Sequence, residues 1–204
     1  MSNDAILIQH VTGGYEGANM YKLTTPRNIE YCLKHKMDYE LMIAGETIGA
    51  GDWEKVRLMR VAMELPYKYV IWLDCDTIII DMKADLRDGC PPGKIGACRH
   101  ILTNPPYSIN LDHLNVGAIY ISNCEETRKW MDYWLEGFPG FPEAPWFEQG
   151  EFNKRAGDMV VAIDPKWNAT GQVNPSPTPV VLGFHGQGKD IRERFELMCK
   201  ALGK

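Results

Sequence analysis

The stretch YVIWLDCDTIII, residues 69–80, consists almost entirely of apolar residues, interrupted by two aspartates that stand one residue apart. Its first half, up to Leu73, has the pattern of a buried β-strand, and charged residues are almost never buried without a partner. Residues two apart in an extended chain point to the same side, so Asp74 and Asp76 would repel each other unless a cation lay between them. The sequence therefore raises the question of what neutralises this pair.

A divalent cation is one answer. Mg²⁺ and Mn²⁺ prefer oxygen ligands, and in enzymes they usually hold substrate phosphates as well. The simpler alternative is that Asp74 caps the end of the strand and that Asp76 belongs to a turn. An Asp-x-Asp tripeptide alone is weak evidence for either interpretation, so the surrounding sequence has to support one of them.

The chain before this stretch alternates strand and helix patterns. Strands are predicted at 5–12, 39–45 and 69–74, with helices at 25–36 and 52–65 between them. This β-α-β-α-β order predicts an α/β fold with a Rossmann-like, mostly parallel central sheet and helices on both faces. In such sheets ligands bind outside the carboxyl ends of the strands, which is where Asp74 and Asp76 stand.

Local signals support the two helices. Thr25 is the expected N-cap of the first, with Pro26 in its first turn, where the missing N–H costs nothing. Asp52 is the expected cap of the second helix. The inner stripe of this second helix is formed by Val56, Met59 and Met63.

The second half of the chain is less regular. Strands are predicted at 95–100 and 115–123, and a helix at 124–137 with Asn123 as its cap; a Pro-rich surface loop follows at 137–147. No internal repeat or low-complexity linker divides the sequence. Residues 1–204 are therefore expected to form one domain, which could be a module of a longer protein.

The composition argues against several functional classes. Lys and Arg number 22 against 27 Asp and Glu, and the resulting charge of −5 argues against nucleic acid as the main partner. No apolar run approaches the ~18–20 residues of a membrane span, and there is no basic leader, so a cytoplasmic protein is expected. The six cysteines show no CxxC spacing and are expected to be free thiols.

A second motif, VVLGFHGQGK at 180–189, repeats the arrangement of a strand followed by polar residues. His185 at the strand end is a candidate third metal ligand. Gly186 and Gly188 let the backbone approach a phosphate closely, and Lys189 offers that phosphate a point charge. Alone, this motif favours a surface histidine followed by a flexible loop. Together with the aspartates it supplies the parts of a metal–diphosphate clamp.

These motifs resemble those of GT-A fold glycosyltransferases. The shared pieces, in order from Arg27 to Lys189, are RNIEYCLKHKMDYEL, WEKVRLMR, YKYVIWLDCDTII, LNVGAIYISN, WMDYW, FEQGEFN and GFHGQGK. They are similar to the galactomannan galactosyltransferase, xyloglucan xylosyltransferase and yeast mannosyltransferase family, and also to capsid glycosyltransferases of chlorella viruses. The ending resembles the His-x-x-Gly-x-x-Lys motif of glycogenin-like enzymes, although here Lys189 follows Gly188 directly.

The resemblance implies a role for each matching residue. Asp74, Asp76 and His185 would hold Mn²⁺ or Mg²⁺ together with the diphosphate of a UDP-sugar. Other residues implied at the nucleotide and diphosphate are Val11, Thr12, Tyr15, Arg57, Arg60, Cys75, Gly188 and Lys189.

Further residues are implied at the sugar and the reaction centre. Asn115 and Gly117 would lie beside the donor sugar, and Asp112 could bind sugar hydroxyls. Glu148 and Gln149 are the expected reaction-centre pair, with Glu148 where relatives usually have Asp. Trp146 is a candidate for stacking on the acceptor, whereas Trp130 and Trp134, four residues apart on a helix, are expected to pack in the core.

The resemblance implies transfer of a hexose-type sugar from a UDP-sugar to a carbohydrate hydroxyl, with retention of anomeric configuration. The acceptor could be a glycan on a viral capsid protein, which would place the enzyme in the host cytoplasm. An inverting enzyme would need a general base, for which Asp112 and Glu148 are the candidates. Alternatives are a non-catalytic UDP-sugar- or carbohydrate-binding module, a sugar nucleotidyltransferase, and a phosphatase that uses DCDT as an Asp nucleophile motif.

Overall fold

The computed structural model describes residues 3–11, 19–43, 51–102, 111–138, 147–171, 174–185 and 191–204. The strands are β1 (Ala5–Val11), β2 (Asp38–Ile43), β3 (Tyr69–Leu73), β4 (Thr77–Ile79), β5 (Ile95–Leu102), β6 (Leu111–Ser122), β7 (Val160–Ile163) and β8 (Val181–Gly183). The α-helices are α1 (Met20–His35), α2 (Gly51–Ala62), α3 (Glu125–Leu135), α4 (Phe147–Arg155) and α5 (Ile191–Ala201). Short 3₁₀ helices occur at Leu86–Gly89, Gly157–Met159 and Pro165–Asn168.

Six strands form the central sheet in the order β2-β1-β3-β6-β5-β7. The strand pairs β1–β2, β1–β3 and β5–β7 are parallel, and β6 is antiparallel to both of its neighbours. Five of the six strands therefore run in one direction, which confirms the predicted mostly parallel α/β sheet. Strands β4 and β8 form a separate antiparallel pair.

Both faces of the sheet are covered, as the alternation along β3 demonstrates. Val70 and Trp72 point into a core shared with α2, α3 and α4, whereas Ile71 and Leu73 point into the opposite core, where Tyr31 of α1 lies. These four side chains are at most 1% exposed. A strand buried on both faces has a continuous apolar sequence instead of an alternating one, which explains the run before Asp74.

The start of the first helix was predicted incorrectly. Helix α1 begins at Met20, so Thr25 is not its N-cap and Pro26 lies inside it. Met20 is fully buried against Ile78 and Phe184, and this tertiary contact favours a helix that starts before the local capping signal.

The predicted inner stripe of the second helix is confirmed, whereas its predicted cap is wrong. Val56, Met59 and Met63 are buried as expected, although Met63 lies one residue beyond the end of α2. Asp52 falls within α2 instead of preceding it.

The N-cap of α3 is Cys124 and not, as was predicted, Asn123. The side-chain amide of Asn123 instead donates to the carbonyl oxygens of Met63 and Tyr67. Trp130 and Trp134 pack on Phe152 in the core, as predicted. No helix in the described ranges is long and apolar enough to cross a membrane.

Candidate functional site

A tight turn after β3 places the two aspartates side by side. The backbone N–H and the hydroxyl of Thr77 both donate to the carbonyl oxygen of Asp74, at 3.0 and 2.7 Å, so the chain reverses direction within the DCDT tetrapeptide. The backbone N–H of Asp74 donates to the carbonyl oxygen of Gly117 on β6 at 2.8 Å. The turn is thus fixed at the carboxyl end of β3, the position predicted for a ligand site.

The antiparallel pairing of β4 with β8 brings His185 to this turn. Thr77 is in register with Gly183, and the backbone N–H of Phe184 donates to the carbonyl oxygen of Asp76 at 2.9 Å. The next residue is His185, whose Nδ1 lies 3.0 Å from Oδ1 of Asp76 and 3.9 Å from Oδ2 of Asp74. One ligand atom from each of the three side chains lies within 4.8 Å of the other two.

Each aspartate offers one oxygen to this cluster and uses the other elsewhere. Oδ1 of Asp74 accepts a hydrogen bond from Nε1 of Trp72 at 2.7 Å and pairs with Nζ of Lys55 at 3.2 Å. Oδ2 of Asp76 accepts from a guanidinium nitrogen of Arg194 at 2.9 Å. Oδ1 of Asp76 is buried, forms a close ion pair with Nδ1 of His185 at 3.0 Å, and accepts no further hydrogen bond in the described part of the chain.

The charges at the cluster shift the pKa values of both buried groups. Burial alone would raise the pKa of the Asp76 carboxyl, but the adjacent His185 and Arg194 outweigh burial and hold this pKa below its ordinary value. Burial alone would lower the pKa of His185, but the carboxylates of Asp76 and Asp74 raise it. The cluster therefore favours an ionised Asp76 next to a positive charge.

Two glycines make room for His185. A Cβ at Gly117 would lie 2.0 Å from Cε1 of His185, far closer than atoms can approach. A Cβ at Gly183 would lie 2.6 Å from Nε2 of the same ring and 2.5 Å from Oδ1 of Asn168. The imidazole therefore packs directly on two strand backbones, and glycine is required at both positions for the ring to lie there.

Glu148 and Gln149, the predicted reaction-centre pair, lie in the first turn of α4 and are both buried. Oε1 of Glu148 is 2.9 Å from Nζ of Lys55, the same ammonium group that pairs with Asp74. Oε1 of Gln149 accepts a hydrogen bond from the backbone N–H of Val116 at 3.0 Å, next to Gly117 on β6. The structure thus connects this pair to the aspartate cluster.

Three further residues predicted at the site, Val11, Cys75 and Asn115, are buried. Val11 is fully buried at the end of β1, and Cys75 is buried between the aspartates. Asn115 is buried on β6, where its Oδ1 accepts a hydrogen bond from the N–H of Gly117. Thr12, Tyr15, Trp146, Gly188 and Lys189 lie outside the described residues.

Arg57, Arg60 and Asp112 make surface ion pairs. Arg57 pairs with Glu54 one turn away, and Arg60 binds Asp132 of α3 as well as Glu64. Asp112 pairs with Arg99, and both line a cleft of about 330 Å³ with His113, Leu114, Asn153 and Ala162. The described contacts of these three residues do not join them to the aspartates.

Three residues that contact the cluster carry no role predicted from the sequence: Lys55, Arg194 and Asn168. Lys55 is detectable in hindsight, because a lysine four residues before Met59 falls on the buried side of α2. Arg194 and Asn168 have no comparable signal, since α5 and the Pro165–Asn168 helix reach the cluster only through the tertiary fold. Asn168 also belongs to an Asn-Ala-Thr sequon, but its side chain is completely buried, which excludes glycosylation in the folded protein.

The cluster has the composition of a divalent-cation site. Two carboxylate oxygens and an imidazole nitrogen suit Mg²⁺, Mn²⁺ or a similar ion. Two ligand atoms on opposite sides of Mg²⁺ are ~4.2 Å apart. The ligand atoms of the three side chains lie within 4.8 Å of one another, which is close to this distance. Oδ1 of Asp76 is buried and faces His185 instead of a hydrogen-bond donor of the main chain, which also fits an ion at this position.

Comparisons with known proteins reveal structural likeness without sequence matches. No protein-family model and no curated protein matches the chain. A crystal structure described as a glycosyltransferase involved in glycosylation of the major capsid of PBCV-1 has a TM-score of 0.70 and 14% identity, over 95% of this chain and 98% of that one. The galactosyltransferase LgtC, in complex with donor and acceptor sugar analogues, has a TM-score of 0.64 and 12% identity, over 97% of this chain and 95% of that one.

A third likeness is to the bifunctional glycosyltransferase WbbM, with a TM-score of 0.63 and 11% identity, over all of this chain and 50% of that one. At such low identity these likenesses establish the fold alone. The chain has the GT-A fold of these glycosyltransferases, as predicted. The narrower similarity to the galactomannan galactosyltransferase family stays a prediction.

Proposed function

We propose that this protein is a metal-dependent glycosyltransferase that moves a hexose-type sugar from a UDP-sugar to a hydroxyl group of a carbohydrate. The observation that carries the proposal is that the two oxygens of each aspartate have different partners. In each aspartate, one oxygen is held by a protein donor while the other faces Nδ1 of His185. Their place in the turn alone does not account for this convergence of one oxygen from each aspartate on Nδ1 of His185.

Asp74, Asp76 and His185 would hold Mn²⁺ or Mg²⁺. When bound, such an ion would stabilise the negative charge that develops on the leaving diphosphate. The chain itself orients the ligands: Trp72 and Lys55 fix Asp74, and Arg194 fixes Asp76. In this proposal Gly188 and Lys189 bind the same diphosphate, and Val11, Thr12, Tyr15 and Cys75 surround the nucleotide.

The sugar would lie between the cluster and the start of α4. Lys55 joins Glu148 to Asp74, and Gln149 is fixed to the backbone of β6 beside Gly117. These contacts hold Glu148 and Gln149 at a constant distance from the cluster, as a reaction-centre pair requires. Asn115 is proposed to contact the donor sugar from the same strand.

Retention of anomeric configuration is the proposed outcome. An inverting enzyme needs a carboxylate free to deprotonate the acceptor. Glu148 is ion-paired with Lys55, and Asp112 is ion-paired with Arg99 at the surface. In a retaining reaction the departing phosphate can take the proton of the acceptor hydroxyl, so no such base is required.

Two rival functions fit the cluster less well. A phosphatase would use Asp74 as a nucleophile, but Oδ1 of Asp74 is occupied by Trp72 and Lys55 and its Oδ2 faces His185. A non-catalytic binding module has no need for the buried Lys55–Glu148 pair beside the donor position.

A carbohydrate on a capsid protein is the proposed acceptor, on the analogy of the PBCV-1 glycosyltransferase to which the fold is similar.

Release of UDP from a panel of UDP-sugars tests the proposal. We expect Mn²⁺-dependent release with at least one donor, with loss of this activity in Asp76→Asn. Asp132→Asn, which changes an aspartate in a surface pair with Arg60, is the matched control and should keep the activity. Metal-independent release, or none with any donor, would contradict the proposal, and phosphate release from simple phosphate esters would favour the phosphatase.

A further inference from the structure

A chain of hydrogen bonds leads from the backbone of β6 to the far side of the His185 ring. The N–H of Gly117 donates to Oδ1 of Asn115 at 2.8 Å. The same oxygen accepts from Nδ2 of Asn168 at 2.9 Å, and Oδ1 of Asn168 lies 3.3 Å from Nε2 of His185. Asn168 is completely buried and Asn115 nearly so, so these amides meet other protein groups instead of bulk solvent.

The direction of each hydrogen bond in this chain is fixed by its first member. A backbone N–H can only donate, so the atom of Asn115 that faces Gly117 must be the carbonyl oxygen. The Asn168 atom that faces this oxygen must be the NH₂ group. The carbonyl oxygen of Asn168 is consequently the atom that faces Nε2 of His185, and it can only accept.

The tautomer of His185 follows from this direction. Nε2 must carry a proton in order to donate to Asn168, which leaves the lone pair of the neutral ring on Nδ1. Nδ1 is the atom that faces Oδ1 of Asp76 and Oδ2 of Asp74, at 3.0 and 3.9 Å. The opposite tautomer would direct an Nδ1–H group at Asp76 and remove the ring from the ligand set.

We infer that Asn168 is a positioning residue that selects the metal-binding tautomer of His185 through the relay Gly117–Asn115–Asn168. The inference rests on the proposed function, because a preferred tautomer matters only if His185 binds a metal. Hydrogen bonds of this kind to the second nitrogen of a ligating histidine raise metal affinity by about 10–100-fold. Asn168 is not one of the three proposed ligands and would act through His185.

The relay is separable from the general packing around Asn168. Asn174 and Thr170 donate to the main-chain carbonyl oxygen of Asn168, at 3.1 and 3.4 Å, and not to its side-chain amide. His100 approaches the same carbonyl at 3.4 Å. A variant at Asn174 therefore disturbs the same buried region while it leaves the amide in the relay.

Asn168→Leu, with Asn174→Ala as matched control, tests the inference. Leucine has nearly the shape of asparagine but neither donates nor accepts, so Nε2 of His185 loses its acceptor. Asn115→Ala is a second variant that removes the anchor and lets the Asn168 amide rotate. Circular dichroism and thermal unfolding identify which variants fold.

The first measurement is long-range ¹H–¹⁵N NMR of histidine-labelled, metal-free protein, recorded at increasing pH until the His185 ring is neutral. We expect Nε2–H in the wild type and in Asn174→Ala, and a shift to Nδ1–H in Asn168→Leu or Asn115→Ala. A wild-type ring with its proton on Nδ1 would overturn the inference. The same conclusion would follow if the folded relay variants kept the wild-type tautomer.

The second measurement is Mn²⁺ affinity, determined by electron paramagnetic resonance of the free ion. We expect a loss of about 10–100-fold in Asn168→Leu and less than about twofold in Asn174→Ala. Equal losses in both variants would indicate a merely structural role and would overturn the inference. A wild-type protein that does not bind Mn²⁺ would contradict the proposed function instead, and the NMR result alone would then decide whether the relay sets the tautomer.

Discussion

The ammonium group of Lys55 lies 2.9 Å from the carboxylate of Glu148, and it connects the first turn of α4 to Asp74 at the end of β3. The side chains of Lys55 and Glu148 are 9% and 7% exposed, so water screens this pair only weakly. An ion pair buried in this way is a strong structural constraint, because removal of one partner leaves an uncompensated buried charge. Lys55 thereby fixes the separation of Asp74 from Glu148, the residue proposed at the reaction centre.

Lys55→Met should destabilise the fold by about 3–5 kcal/mol, because it leaves Glu148 and Asp74 without their shared cation. Urea unfolding monitored by tryptophan fluorescence provides the measurement. The control is Lys154→Met, since Lys154 is exposed where it pairs with Glu151, and its loss should cost no more than about 1 kcal/mol. Similar midpoints for Lys55→Met and the wild type would contradict a structural role for this pair.

Gly117→Ala should lower the Mn²⁺ affinity by about 10-fold or more, because the added Cβ displaces the His185 ring. Gly96→Ala is the control, since its Cβ would meet Ile163 and Pro91 at 2.8 and 3.0 Å, away from the cluster. Both variants should lose about 1–3 kcal/mol of stability through overpacking, but only Gly117→Ala should lose the metal. Equal Mn²⁺ affinity in the two variants would contradict the assignment of His185.

The strand that decides the fold was predictable because its signal is local. Residues 69–73 are apolar without interruption, and β3 is indeed central and buried on both faces. The start of α1 was not predictable in the same way. Thr25 and Pro26 give a good local capping signal, but burial of Met20 outweighs it.

The candidate site was predictable only in part, for a similar reason. Asp74, Asp76 and His185 were identified because each follows an apolar strand, and the structure brings them together. Lys55, Arg194 and Asn168 contact this cluster through tertiary packing, which a single sequence does not encode in any short motif. Arg60, a helix arginine predicted at the donor, lies in a surface pair with Asp132, and its role at the donor stays a prediction.

Trp72→Phe should weaken Mn²⁺ binding by about 10-fold, because Nε1 of Trp72 orients Asp74 through a hydrogen bond of 2.7 Å. Trp130→Phe is the matched control, since its Nε1 donates to the carbonyl oxygen of Arg155. Both substitutions remove one buried hydrogen bond and should cost about 1–3 kcal/mol of stability. Titration with Mn²⁺ separates the two variants, and unchanged affinity in Trp72→Phe would argue against a role for this tryptophan at the cluster.

Thiol reactivity should divide the six cysteines into two groups. Burial raises the pKa of the Cys32 and Cys98 thiols to about 12, and it also raises the pKa of Cys75 and Cys90. A raised pKa keeps these thiols protonated and unreactive near pH 8, whereas Cys124 and Cys199 are partly exposed. Iodoacetamide followed by mass spectrometry should therefore modify only Cys124 and Cys199 in the native protein, and all six cysteines after unfolding. Rapid native labelling of Cys75 or Cys98 would contradict the described packing.

Calorimetric titration of UDP into the protein, with and without Mn²⁺, tests the central claim most directly. The wild type should bind UDP in the presence of Mn²⁺ and weakly or not at all in its absence. Asp76→Ala should lose the metal-dependent binding, while Asp132→Asn keeps it. Failure of the wild type to bind UDP with Mn²⁺, or equal binding by Asp76→Ala, would contradict the account and leave Asp74 and Asp76 as structural residues of a strand end.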